Sequence, residues 1–203
     1  MSGTVFTKQS CHGTCWELPL VPDDASIEEA MIFEQLSPEH SPLHALYTTN
    51  VQGVAEQFAS EKLDDPETHI EVIVEGHTAL DNAFVMDFKY GGVVEFQGKV
   101  YNIEHAYMEM SEDTLTRKDL HEALKEAGYD GFVMQGDYKY LGKEADDIAI
   151  LEADRFTPTS VRMKIDNKWT KSLSIEEARE QFKARALAPY LEQGYSSSDF
   201  AFG

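Results

Sequence analysis

The segment Asp147–Leu151 constrains the fold of this chain most strongly. After the opening carboxylate its sequence, Ile-Ala-Ile-Leu, is apolar without interruption, which is typical of a buried strand. Other short strand candidates are spread along the chain: Val5–Cys11, Ala45–Thr49, Ile70–Val74, Phe84–Phe88, Gly92–Phe96, Val100–Met108 and Gly131–Met134. Turns are expected at Gly91-Gly92 and Gln97-Gly98, between the middle candidates.

Helix starts are indicated by a Ser or Thr followed three residues later by an acidic residue, and by an Asn cap. The predicted helices begin at Ser26, Asn50, Thr116 and Ser174 and end near Gln35, Phe58, Gly128 and Ala188. Pro189 is expected to end or kink the last of them. Strands and helices together predict a mixed α+β fold.

The domain organisation is expected to change after Pro158. Residues 1–157 hold the strand candidates and are predicted to form the main domain, and residues 158–203 a C-terminal helical extension with a flexible tail. The last helix carries an apolar stripe of four residues, Ile175, Ala178, Phe182 and Ala186. This stripe is expected to pack on the core, and a docking helix for a partner is the alternative.

The charge of the chain limits its partners. It has 203 residues with 37 acidic and 17 basic side chains, a formal net charge of −20. Direct binding to nucleic acid or to an anionic membrane is therefore not expected, and the charge suits either solubility alone or a protein partner with a basic surface. The first residues form no apolar signal stretch, and no apolar run is long enough to span a membrane. We expect a cytoplasmic protein, or one acting in a host cytoplasm.

The two cysteines, Cys11 and Cys15, are expected to be reduced thiols. Together with His12, His40 and His44 they suggest a zinc site, but the spacing lacks the close ligand pairs of structural zinc, and no metal is expected. The glycine patterns of Rossmann and P-loop nucleotide sites are absent from the sequence.

Three separated segments carry the functional hypothesis. The first is His12-Gly13-Thr14, predicted as a turn at a strand end. The second is Leu46-Tyr47-Thr48-Thr49, followed by a helix with Phe58 eleven positions after Tyr47. The third is Gly128-Tyr129-Asp130-Gly131-Phe132-Val133 together with the strand that Asp147 opens.

In this order and spacing the segments resemble the ADP-ribosyltransferases of the His-Tyr-Glu class, which includes diphtheria toxin and the poly(ADP-ribose) polymerases. The resemblance covers roughly residues 5 to 156. It implies a split antiparallel β-sheet core with short flanking helices and a C-terminal helix. It also implies NAD as co-substrate and cleavage of the nicotinamide–ribose bond. Bacterial toxins and phage proteins that disable host or defence factors, including some anti-CRISPR proteins, belong to this superfamily.

The resemblance assigns roles to individual residues. His12 would bind the adenosine-side ribose, the main chain of Gly13 the nicotinamide carboxamide, and Thr14 would support the turn. Tyr47 would stack on the nicotinamide ring, because an aromatic face suits a cation. Phe58 would close the opposite side, and the hydroxyl of Thr48 or Thr49 would hold the ribose or the acid.

Asp147 would be the catalytic acidic residue, where the family usually has Glu. A carboxylate there stabilises positive charge on the ribose as nicotinamide leaves, or acts as a base toward the acceptor. Glu144 is the second choice, and Asp146 would face the other side of the strand. The preceding polar segment, Gln135–Ala145, is expected to be either a target-recognition loop or a solvent-exposed hairpin.

Three functions fit these residues. The first is a mono-ADP-ribosyltransferase that modifies a macromolecular target, such as a host or defence protein. The second is an NAD glycohydrolase, in which water replaces the acceptor. The third is a non-catalytic acidic protein that occludes a basic surface.

Overall fold

The structure, a computed structural model, describes residues 3–31, 36, 38–62, 65, 67–88, 92–106, 114–196 and 199–200. Its ten strands in the described residues are β1 (Thr4–Glu17), β2 (Leu46–Thr49), β3 (His69–Asp87), β4 (Val93–Phe96), β5 (Lys99–Asn102), β6 (Thr114–Thr116), β7 (Gly131–Tyr140), β8 (Lys143–Ile150), β9 (Phe156–Ile165) and β10 (Lys168–Trp169). Its α-helices there are α1 (Asp24–Ala30), α2 (Gln52–Glu61), α3 (Arg117–Glu126) and α4 (Ile175–Glu192). The fold is mixed α+β, as the sequence predicts, and it consists mostly of sheet.

Two compact units alternate along the chain. The first unit comprises residues 1–11, 35–54 and 76–157, and the second comprises residues 12–34, 55–75 and 158–203. The segment 158–203, expected as an extension, therefore belongs to the second unit together with two earlier segments.

The first unit contains strands in the order β1, β2, β8, β7 and β3. The pairs β1–β2, β2–β8 and β7–β8 are antiparallel, as expected, but β3 and β7 run parallel. A three-stranded sheet of β4, β5 and β6 belongs to the same unit, and Gln97 and Gly98 form its hairpin turn with positive φ at both positions. The predicted Gln97-Gly98 turn is confirmed, whereas Gly91 lies outside the described residues.

Helix α3 forms as its sequence predicts. Thr116 and Asp119 make a reciprocal capping box, and Gly128 follows the helix with a φ of 86°. Its buried Leu120 and Leu124 belong to an apolar core. Phe84, Phe96 and Tyr129 pack edge-to-face against one another at this core, and the Phe132 ring is tilted by 48° to that of Phe84.

In the second unit β3 is followed in the sheet by β9 and β10. Ser174 and Glu177 cap α4 as predicted, and Phe182 of this helix packs its ring edge-to-face against Trp16, 5.5 Å away. Three residues of the predicted stripe, Ala178, Phe182 and Ala186, are buried, and Ile175 is 39% exposed. The stripe thus packs on the core of this unit.

Two predictions about helices are wrong. Asp23, not Ser26, is the N-cap of α1, because the Asp23 carboxylate accepts from the Ser26 N–H and the Ser26 hydroxyl oxygen accepts from the Asp23 N–H. Pro189 does not end α4, which continues to Glu192. A proline this close to a helix end removes one backbone hydrogen bond with few turns left to disturb. The predicted end of the first helix at Gln35 lies outside the described residues.

Two predictions about strands are also wrong. Ile70–Val74 and Phe84–Phe88 are not separate strands, because β3 runs through both regions for 19 residues. The segment Gln135–Ala145 is not a loop: β7 and β8 pair across it and turn at Leu141-Gly142, where both residues have positive φ. The segment is a β-hairpin, and a part for it in target recognition stays a prediction. The strand end predicted at Met108 lies outside the described residues.

Across the part of the chain that the structure describes, no helix has the length and apolar character that a membrane crossing requires.

Candidate active site

Tyr47 and Asp147 lie on neighbouring antiparallel strands of the first unit. Tyr47 on β2 is opposite Ala149 on β8, and Thr49 is opposite Asp147. Because opposite residues in such a pair share a face and alternate residues along each strand do too, Tyr47, Thr49 and Asp147 lie on one face. Two of the residues expected in the site are therefore brought together by strand register.

The Asp147 carboxyl is buried, with its residue only 2% exposed. Nη1 of Arg117 lies 3.3 Å from its Oδ2 and donates to it. Burial raises the pKa of Asp147 to about 7, and the negative charge of Asp137 adds to this, while the Arg117 charge and hydrogen bond act against it. Both protonation states of this group are therefore populated at neutral pH.

Arg117 joins Asp147 to Tyr47. It is the first residue of α3, and its Nε donates to the Ile103 carbonyl oxygen. Its guanidinium carbon lies 5.8 Å from the centroid of the Tyr47 ring, within the range of a cation–π contact. A planar, delocalised cation is thus held against an aromatic ring and a carboxylate.

His121 holds the other end of Tyr47. The Tyr47 hydroxyl oxygen is 3.2 Å from His121 Nε2, and His121 Nδ1 donates to the Leu43 carbonyl oxygen at 2.8 Å. Burial lowers the pKa of His121 to about 4, with the Arg117 charge contributing and the Leu43 hydrogen bond opposing. The ring is therefore neutral at pH 7.

Acidic groups also surround Arg117. Burial raises the pKa of the half-buried Asp137 on β7; the Arg117 charge lowers it, and the charge of Glu104 raises it. The first turn of α3 carries Arg117 and Lys118 as well as the acidic Asp119, although the helix dipole favours acidic residues there. The surrounding carboxylates explain why a cation is stable at this end of the helix.

Asp146, an alternative to Asp147, is held by hydrogen bonds that join neighbouring segments of the first unit. Its carboxylate accepts from Lys8 Nζ at 2.6 Å, from Asn50 Nδ2 at 3.1 Å and from the Gly136 N–H at 3.2 Å. Asn50 also accepts from the Asp146 N–H, so its side chain links β8 to the chain before α2. Glu144, the other alternative, is exposed on β8.

The His12-Gly13-Thr14 segment belongs to the second unit and does not form a turn. It lies inside β1, which continues to Glu17, so the turn prediction is wrong. Glycine is required here by packing, because a Cβ on Gly13 would stand 2.0 Å from the Ala55 carbonyl oxygen of α2. The Gly13 carbonyl oxygen accepts from Lys62 Nζ at 3.0 Å. His12 and Thr14 are half-buried.

The remaining candidate residues are Thr48, Thr49 and Phe58. Thr48 is buried in the first unit with its hydroxyl 3.4 Å from that of Thr78, which also bonds to Ser10. The buried Thr49 accepts from the Val51 N–H at 3.3 Å. Phe58 is half-buried on α2, in the second unit.

The described residues contain neither a disulfide nor a cluster of metal ligands. Cys11 and Cys15 form no disulfide, and the Cys15 thiol donates to the Ala59 carbonyl oxygen at 3.1 Å. In the described ranges, which omit the His40 side chain, no three His, Cys, Asp or Glu groups come together as metal ligands.

Sequence reasoning missed Arg117 and His121. They are four residues apart, so both project from the same side of α3. A signal for them existed in the sequence: an arginine directly after the Thr116 cap, and a histidine among the apolar positions of the helix.

Comparison of the chain with protein-family models, with curated proteins and with solved structures found no significant match.

Proposed function

We propose that the chain is an NAD-dependent mono-ADP-ribosyltransferase that modifies a macromolecular target. One observation carries the proposal: Tyr47 and Asp147, on one face of adjacent strands, flank a single planar cation, which is the Arg117 guanidinium. The nicotinamide end of NAD⁺ is also a planar, delocalised cation. An aromatic face and a carboxylate stabilise such a charge.

The reaction breaks the bond between the ribose C1′ and the nicotinamide nitrogen. The bonding electrons leave with nicotinamide, C1′ bonds to the acceptor nucleophile, and the acceptor releases one proton. As a carboxylate, Asp147 stabilises the positive charge that develops on the ribose. Its pKa of about 7 also suits it to receive the acceptor's proton, because a base poised near the working pH is most effective.

Arg117 has a defined part in this proposal. Its guanidinium occupies the place beside Asp147 that the positive end of NAD⁺ requires, so substrate binding displaces it from the carboxylate. The buried carboxylate then exchanges one cation for another. This exchange avoids leaving an unpaired buried charge, which would be unfavourable by several kcal/mol.

The other roles follow from the resemblance to the His-Tyr-Glu class. In the proposal the hydroxyl of Thr48 or Thr49, in the first unit, holds the ribose or the acid. Thr48 is the weakest candidate, because its buried hydroxyl lies beside Thr78.

The target is proposed to be a basic protein of a host or of a defence system. The support is the net charge of −20, which attracts a basic surface and repels nucleic acid. An acidic effector of bacterial or phage origin acting in the cytoplasm fits this charge.

The test uses NAD⁺ labelled in its adenylate part, incubated with purified protein and with or without bacterial lysate. The proposal predicts a labelled macromolecular band with wild type and its loss with Asp147→Asn. Asp154→Asn, at a residue whose side chain is 83% exposed, is the matched control and should retain the band. Free ADP-ribose without a band would instead identify a glycohydrolase.

One observation favours a second candidate, an acidic binding protein without catalysis. The buried Arg117–Asp147 ion pair is also what a purely structural contact looks like. In that case wild type would leave NAD⁺ intact with and without lysate, and Asp147→Asn would still bind a basic partner.

A further inference from the structure

His121 is a buried group of the first unit whose two ring nitrogens both face a partner. Nδ1 lies 2.8 Å from the Leu43 carbonyl oxygen, and Nε2 lies 3.2 Å from the Tyr47 hydroxyl oxygen. The residue is 1% exposed, so water does not compete for either nitrogen.

The direction of these hydrogen bonds follows from the chemistry of the partners. A carbonyl oxygen only accepts, so Nδ1 carries the hydrogen. In the neutral ring Nε2 then has a lone pair and accepts, and the Tyr47 hydroxyl must donate. One tautomer of His121 therefore fixes the direction of the Tyr47 O–H group.

The position of His121 is itself fixed by α3. The capping box of Thr116 and Asp119 sets the start of the helix, and the His121 ring packs 6.1 Å from the ring of Phe132. Four residues earlier on the helix, Arg117 faces the Tyr47 ring. One helix therefore presents a hydrogen-bond acceptor to the hydroxyl of Tyr47 and a cation to its ring.

We propose that His121 is a positioning residue, which holds the Tyr47 ring in the orientation that stacks on nicotinamide. This inference rests on the proposed function. A ring held in advance loses little side-chain entropy when the substrate binds, so the contribution of His121 is to substrate affinity. Loss of His121 raises KM for NAD⁺ and changes kcat less.

A double-mutant cycle tests the inference. Wild type, His121→Leu, Tyr47→Phe and the double variant are compared for kcat and KM, with folding checked by thermal unfolding. Each single variant should raise KM by about tenfold, and the double variant should raise it no further, because both break the same hydrogen bond. His77→Leu, at an exposed histidine on β3, is the control and should leave KM unchanged.

A second measurement uses wild type only and so does not depend on whether a variant folds. Nitrogen-15 NMR of wild type at pH 7 should show one buried histidine with a protonated Nδ1 and an unprotonated Nε2. The opposite tautomer at His121 would overturn the inference, as would additive effects of the two substitutions on KM in an active enzyme. Absence of NAD⁺ turnover by wild type would overturn the proposed function and the inference together, so the two failures are distinguishable.

Discussion

Asp147 in the first unit and Glu75 in the second are strand carboxylates beside an arginine, but their surroundings differ. Glu75 accepts from the Ser160 and Ser172 hydroxyls at 2.6 Å each and from Arg162 Nε at 2.9 Å. Burial alone would raise the pKa of Glu75, but these hydrogen bonds and the Arg162 charge bring it below its ordinary value. Asp147 is more deeply buried, and the Arg117 donor lies 3.3 Å away.

This difference distinguishes Glu75, a carboxylate with a structural role, from Asp147, a candidate functional carboxyl. Neutral hydroxyl donors at short distance stabilise the ionised Glu75, which holds β9 and the chain before α4 to β3. Asp147 has a pKa raised to about 7 and a cation as its donor. Strongly perturbed carboxyls of this kind cluster at functional sites, because their charge is available for a substrate.

The largest predicted effect is on stability when each arginine is removed. Arg117→Ala should lower the free energy of unfolding at pH 8 by about 2 to 3 kcal/mol, because Asp147 loses its charge partner and the Ile103 carbonyl oxygen loses a charged donor. Arg162→Ala should lower it by only about 1 kcal/mol, because Glu75 keeps its serine donors and its side chain is 21% exposed. Urea unfolding at pH 8 measures both, and equal losses would contradict the comparison.

The next effect is an opposite dependence of stability on pH. The pKa of Asp147 is raised in the folded state, so its contribution to stability is fully present below pH 4 and is lost as pH rises to 7. Relative to Asp147→Asn, wild type should lose at most about 1.4 kcal/mol per pH unit over that window. Denaturant unfolding between pH 4 and pH 8 measures this, and a flat difference would refute the raised pKa.

Glu75 should behave in the reverse sense. Its pKa is lowered in the folded state, so its contribution is present above its ordinary value of 4.5 and is lost as pH falls below that. Relative to Glu75→Gln, wild type should therefore lose stability in acid. The same unfolding series checks the sign, and a loss toward alkaline pH would break the comparison.

The smallest effect concerns a single hydroxyl donor. Ser172→Ala should lower the free energy of unfolding by about 0.5 to 1.5 kcal/mol, because Ser160 and Arg162 still bond to Glu75. It should also raise the pKa of Glu75, which side-chain NMR titration can follow. A pKa that stays unchanged would show that this hydroxyl does not stabilise the carboxylate.

Local patterns in the sequence predicted much of the fold. The capping boxes at Thr116 and Ser174 each form within one helical turn, so whether they form depends only on neighbouring residues. The N-cap predicted at Ser26 was wrong because Asp23, three residues earlier, caps the same helix. The role of Gly13 was not predictable, because it depends on Ala55 of α2, far along the chain.

The candidate site was predictable only in part. Tyr47 and Asp147 could be chosen because each sits in a recognisable strand segment. Arg117 and His121 reach them from α3, and sequence spacing says nothing about which strand a helix covers. Their contribution depends on tertiary packing, so only the structure revealed it.

The role of Asp147 as the functional carboxyl is tested most directly by the rate of nicotinamide release from NAD⁺ by wild type, Asp147→Asn and Glu75→Gln at pH 7. Wild type should release nicotinamide, Asp147→Asn should lose about a hundredfold or more of the rate, and Glu75→Gln should change it little. Absence of release by wild type, or equal losses in the two variants, would contradict the assignment of Asp147 as the functional carboxyl.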